Sequence, residues 1–134
     1  MNIQGAMRAF QRPSVWLGSW YFGWVLCVVL SMIHPPRIDI DVPDGDKIGH
    51  FLAYGLLSAW SAWLFASTRA RWLAAAALVA LGIVMELAQG AFTSDRMMDS
   101  YDALADTIGV LIGQAASLGS VAGFLQRLET RLFG

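Results

Sequence analysis

The chain is poor in charge. Of its 134 residues only 14% are Asp, Glu, Lys or Arg, against about 25% in an ordinary globular domain. It has one cysteine, Cys27, and four prolines. A single cysteine excludes an intramolecular disulfide framework. Lying in an apolar run, it reads as a small packed hydrophobe. The net charge of −1 gives no electrostatic reason to expect a polyanionic partner. Charge is also absent in blocks. Pro13–Pro36, Ile48–Thr68, Trp72–Met85 and Thr107–Gln126 hold no Asp, Glu, Lys or Arg, and the third block lengthens to Trp72–Ser94 if Glu86 alone is admitted. Each is near or above the roughly 18–20 residues that cross a bilayer core as a helix. This pattern excludes a water-soluble enzyme, a nucleic-acid binder and a secreted disulfide domain.

What is present, 57% hydrophobic residues in long runs, predicts an all-α polytopic membrane protein. A single domain over residues 1–134 is expected, with four spans at approximately 15–33, 48–67, 72–92 and 102–125. The first span is expected to be uncleaved rather than a signal peptide. Its run from Val15 to Ile33 exceeds an h-region of roughly 7–15 residues, and it ends in His34-Pro35-Pro36 without a small-residue cleavage site. Pro35 and Pro36 close that span. Asp46 is the expected N-cap of the second. Basic residues set the orientation. Arg8, Arg12, Arg69, Arg71, Arg127 and Arg131 fall on one side, and Arg37, Lys47 and Arg96 on the other. Both termini are therefore expected in the cytoplasm, and the protein in the bacterial cytoplasmic (inner) membrane with lipids as its surroundings. Ile3, Ala6, Met7 and Phe10, and again Phe124, Leu125, Leu128 and Leu132, form stripes. They suit either in-plane interfacial helices or, respectively, a frayed terminus and a continuation of the fourth span.

The polar residues left over recur at helical spacing, all on the outer side. Lys47, His50 and Tyr54 are spaced i, i+3, i+7; Glu86 and Gln89 are i, i+3; Asp99, Asp102 and Asp106 are i, i+3, i+7. Each set lies on one face of its helix. Facing lipid costs an ionised side chain a few kcal/mol or more, so these faces are expected to turn toward one another. Arg96, whose planar fork can bridge two carboxylates, is the expected clamp. Glu86 and His50 are the candidate acid–base pair. Lys47, Tyr54, Gln89, Arg96, Asp99, Asp102 and Asp106 are the candidate ligand-binding residues. A purely structural role, holding helices together, stands beside this one. One histidine with scattered carboxylates lacks an H-x-x-x-H or H-E-x-x-H spacing, and no metal or other cofactor is expected. No activated nucleophile is visible, so whether any reaction is catalysed stays open. Gly109/Gly113 and Gly119/Gly123 are expected to let helices approach closely, within one chain or between chains. Trp16, Trp20, Trp63 and Trp72 suit interfacial belts or helix contacts.

Asp46-Lys47-x-x-His50-Phe51-x-x-Tyr54, Glu86-x-x-Gln89 and Arg96-x-x-Asp99-x-x-Asp102-x-x-x-Asp106-x-x-Gly109-x-x-x-Gly113 together resemble the motifs of the VanZ-like membrane proteins. The resemblance covers roughly Asp46 to Gly113. At the position of Asp106 that family usually carries asparagine, and a carboxylate there removes two donors. The resemblance implies a small helical membrane protein of the cell envelope. It also implies a link to teicoplanin resistance, and hence a lipid-tailed envelope molecule as ligand. The alternative is an accessory or scaffold protein whose polar cluster only stabilises the bundle. A proton-coupled transporter ranks third, because the inner halves of the spans read as apolar.

Overall fold

The structure, a computed structural model, describes residues 3–32, 45–92 and 100–134. These are almost entirely helical, with no strand among them; an isolated bridge joins Met7 and Phe65. A single turn, α1 (Ile3–Ala6), precedes α2 (Pro13–Met32), α3 (Gly45–Leu64), α4 (Thr68–Phe92) and α5 (Ser100–Gln114). Two 3-10 turns, Ala115–Ser117 and Gly119–Gly123, then lead into α6 (Phe124–Phe133). Pro13 opens α2, where its missing N–H costs no hydrogen bond and its fixed φ suits the helix. The predicted closure at Pro35 and Pro36 lies outside the described residues; α3 begins at Gly45, one residue before the expected cap Asp46, whose side chain is not described.

The bundle exposes many large apolar residues and buries several polar ones beside its apolar core. Its outward surface carries Phe22, Val25, Leu30, Leu56, Leu73, Val84, Leu111 and Ile112, all exposed. Its interior holds His50, Ser58, Ser61, Glu86, Gln89, Asp102, Asp106 and Gln114. In water such an apolar surface would drive association; in lipid it is at home. Two helices, α2 and α4, are long and apolar enough to cross a membrane. The chain is thus an all-helical membrane-associated protein.

α3 and α5 form the most extensive helix pair, and two glycines on α5 account for it. A Cβ on Gly109 would run into the Phe51 carbonyl of α3, and one on Gly113 into the Gly55 carbonyl, with Ser58 Cβ at 2.7 Å and Ala59 N at 2.9 Å. Backbone therefore lies on backbone, as small-residue motifs allow. The second glycine pair does not pack helices. Where one continuous span over 102–125 is expected, α5 stops at Gln114 and the chain turns by 83° before α6. Leu118 is extended, and Gly119 sits at φ +57°, a conformation that costs glycine little. A Cβ on Gly119 would meet nothing within 4 Å, and one on Gly123 only the side chains of Arg127 and Gln126.

The turned α6 closes one end of the bundle. The segment after α1 docks on the α3–α4 turn. Arg8 N donates to Leu64 O at 2.9 Å, and Ala66 N donates to Ala6 O at 3.0 Å. From α6, Gln126 Nε2 donates to Ala9 O at 3.1 Å. Glu129, 3% exposed, accepts from Gln11 N at 2.9 Å, Arg12 N at 2.9 Å and Trp16 Nε1 at 2.8 Å. Glu129 thus caps the start of α2 from 117 residues away. Burial pushes its carboxyl up. The hydrogen bonds from Gln11, Arg12 and Trp16 and the Arg12 charge outweigh that and hold it below the ordinary carboxylate value. Neither a frayed N-terminus nor a straight continuation of the fourth span describes this end.

The tryptophans divide by helix face. Trp16 and Trp20 are buried, and Trp20 Nε1 donates to Leu57 O at 3.0 Å. Trp63 packs on Phe124 at a centroid separation of 4.7 Å, while Trp72 is exposed.

Candidate functional site

The opposite end of the bundle gathers the polar faces. His50 comes from the first turns of α3, Glu86 and Gln89 from the last turns of α4, and Asp102 and Asp106 from the first turns of α5. All five are buried. One ligand-capable atom each from His50, Glu86 and Asp102 lies within 4.8 Å of the others. Asp106, 1% exposed, places Oδ1 at 3.1 Å from His50 Nδ1. An ionised carboxylate only accepts, so with Asp106 ionised His50 donates to it from Nδ1. The His50 ring stacks parallel to Tyr54, at 4° and 6.4 Å between centroids.

Gly82 makes room for this arrangement. A Cβ there would approach Asp106 Oδ2 to 2.7 Å. The absence of a side chain on α4 is what lets the carboxylate of α5 reach the bundle interior. Gln89 reaches the other way, donating from Nε2 to Ser31 O on α2 at 2.8 Å. Tyr54, 1% exposed, has its hydroxyl beside the buried Cys27 thiol. Cys27 is enclosed among packed side chains, in keeping with a hydrophobe's role. Lys47 stands half-buried on the His50 face of α3. Arg96 and Asp99 lie outside the described residues.

The structure therefore brings together His50, Glu86, Asp102 and Asp106, with Tyr54 stacked against them and Gln89 tied to α2. It also adds a second polar layer that the reading of apolar inner halves missed. Gln114 Nε2 lies 2.9 Å from Ser58 Oγ and 3.2 Å from Ser61 Oγ, and donates to both. Ser58 Oγ donates to Val110 O at 2.7 Å, and Ser61 Oγ to Ser58 O at 2.7 Å. All three side chains are buried. The signal was in the spacing: Ser58 and Ser61 continue the stripe of His50 and Tyr54 along α3, and Gln114 lies two turns beyond Asp106. Gln114 bonds to both serines and Ser58 to Val110 across the α3–α5 contact, which is how polar side chains bind helices together in lipid.

Chemically, the cluster pairs a carboxylate-oriented imidazole with two further carboxylates in a low-dielectric setting. That set can move a proton, bind a cation or organise a polar ligand. No family model, curated protein or solved structure matches the chain.

Proposed function

We propose that the chain is a four-span protein of the bacterial inner membrane, with both termini cytoplasmic. Its polar cluster opens outward and recognises or modifies an amphipathic cell-envelope molecule, as the resemblance to VanZ-like proteins suggests. The supporting observation is the convergence of His50, Glu86, Asp102 and Asp106 from three helices at one end of a bundle that is otherwise apolar outside. Buried ionisable groups in a membrane protein are costly and concentrate at functional sites. In this reading His50 exchanges a proton and Asp106 orients it. Glu86 and Asp102 form the acidic floor. Lys47 lines the entrance, and Gln89 and Tyr54 fix the surrounding helices.

The test is a resistance assay at matched expression. Cells lacking the protein receive wild type, Glu86→Gln or His50→Gln and are challenged with teicoplanin and with vancomycin. Selective protection against teicoplanin by wild type, lost in both variants at equal membrane abundance, supports the reading. No protection by wild type overturns the lipoglycopeptide assignment.

One observation favours a second reading, a non-catalytic scaffold. The His50–Asp106 contact joins α3 to α5, and the Gln89–Ser31 bond joins α4 to α2. A scaffold predicts that the same variants lose abundance and phenotype in step.

A further inference from the structure

We propose that the closed end of the bundle, opposite the polar cluster, holds one anionic phospholipid, its phosphate gripped by Arg127 and Arg131. This site needs no envelope ligand and uses none of the cluster's residues.

The first observation is a cavity. Phe124, Arg127, Leu128 and Arg131, all on α6, line a cleft of about 190 Å³. They form two rows at i and i+4, Phe124 with Leu128 and Arg127 with Arg131. Residues so spaced are neighbours on a helix surface. An apolar row therefore runs beside a cationic one. That pairing matches an amphipathic anion, with its headgroup over the arginines and its chain over Phe124 and Leu128. Guanidinium groups suit phosphate, because their planar forks take its oxygens two at a time.

The second observation is charge left unbalanced. Arg8, Arg12, Arg69, Arg71, Arg127 and Arg131 collect at this end, where the sequence supplies one acid, Glu129. That carboxylate is buried and committed to Gln11 N, Arg12 N and Trp16 Nε1. Arg12 lies over the Phe133 ring at 4.3 Å, and Arg71 donates to Thr68 Oγ1 at 3.0 Å. Arg127 and Arg131 are exposed and make no ion pair among the described residues. Like charges one turn apart repel, and an anion between them removes that repulsion.

Height supplies the third argument. Glu129 of α6 caps the start of α2, and the N-terminal segment that α6 touches docks on the turn before α4. Both α2 and α4 are long and apolar enough to cross a membrane. The cleft is therefore level with the point where these helices meet the bilayer surface, and the 83° turn lays α6 across the direction of α5. Lipid phosphates stand at that level. Leu118, Phe124 and Leu132 are exposed and apolar beside the arginines, as on a helix lying in the interface. Free phosphate would answer the arginines but leave the apolar row open to water. A phospholipid covers both.

The experiment uses the full chain, purified in neutral detergent and reconstituted into phosphatidylcholine bilayers. These carry either phosphatidylglycerol or phosphatidylcholine brominated high on the acyl chains. Bromine quenches tryptophan at short range, and Trp63, packed on Phe124 at 4.7 Å, is the reporter. An arginine at an anionic surface strengthens binding about fivefold, so wild type is expected to prefer brominated phosphatidylglycerol by roughly 10–25-fold in mole fraction. Arg127→Gln/Arg131→Gln is expected to lose that preference. Arg69→Gln/Arg71→Gln removes the same charge from the same end, but neither residue lines the cleft, and the preference is expected to survive. Equal quenching of wild type by the two lipids overturns the proposal. Equal losses in the two double variants also overturn it, because they show diffuse surface charge. Persistence of the preference in Trp63→Phe places the lipid elsewhere and overturns the site. Soluble glycerol 3-phosphate is expected to leave the lipid in place, and displacement at concentrations matching the lipid's overturns a phospholipid as the occupant. Should Arg127→Gln/Arg131→Gln not fold, rising salt applied to wild type decides. Salt screens exposed charge, so the preference is expected to fall severalfold, and a salt-independent preference overturns the role of the arginines.

Discussion

Replacing Glu129 tests how the bundle is closed at the end away from the polar cluster. Its carboxylate receives three donors, the backbone N–H groups of Gln11 and Arg12 and the Trp16 indole, all within 2.9 Å. A hydrogen bond to a charged group contributes about 1.5–3 kcal/mol, and bonds sharing one acceptor group do not add fully. Glu129→Ala strands all three donors in a buried place, and its expected cost is on the order of 3–5 kcal/mol. Glu129→Gln keeps one carbonyl oxygen but turns an NH2 group toward donors, so an intermediate loss is expected. Equilibrium unfolding in mixed micelles, followed by tryptophan fluorescence, measures both, and Trp16 reports directly. The pH dependence adds a second readout. The folded carboxyl lies below its ordinary value of 4.5. Its contribution is therefore fully present above that value and is lost as pH falls through the lower, folded value. Wild type should lose stability in this acid window, and Glu129→Gln should lack that component. An alanine variant within about 0.5 kcal/mol of wild type, with an unchanged acid profile, refutes the reasoning.

Two further changes probe the contacts within the bundle. Gly113→Ala drives a methyl into the Gly55 carbonyl and the Ala59 backbone, neither of which can rotate away. A loss at the upper end of the roughly 1–3 kcal/mol typical of overpacking is expected in the same unfolding assay, and a neutral result refutes the close approach. Gln114→Leu leaves Ser61 Oγ and Ser58 Oγ with one polar neighbour fewer; a loss of about 0.6–1.7 kcal/mol is expected from membrane helix hydrogen bonds, and a stabilised variant would contradict it.

The sequence made the helices legible through charge-free runs, because an apolar stretch of bilayer length has few other fates. It made the cluster legible through spacing. His50, Glu86, Asp102 and Asp106 were expected to face one another, since lipid is the costly alternative, and they do. The fourth span was harder to read. Ala115–Gly123 is as apolar as a helix interior, and hydropathy carries no information about Leu118 turning extended or Gly119 adopting a positive φ. Glu129 was hidden for a related reason. A lone acid among arginines reads as surface charge until the 83° turn carries it beneath the start of α2. Ser58, Ser61 and Gln114 are weakly polar, and a hydropathy pass absorbs them into their spans. Arg96 and Asp99 lie outside the described residues.

The clasp made by Glu129 imposes an order on synthesis. The helix α2, long and apolar enough to cross a membrane, leaves the ribosome with the N–H groups of Gln11 and Arg12 and the indole of Trp16 unmatched. Their acceptor is made only 113 to 118 residues after them. At about 5–20 residues per second, that is a wait of several seconds or more. During it α2 can enter the bilayer, but its leading end stays open to water or to membrane chaperones. The end of the bundle opposite the polar cluster is consequently the last part to lock, and a nascent chain stopped before α6 carries that opening permanently.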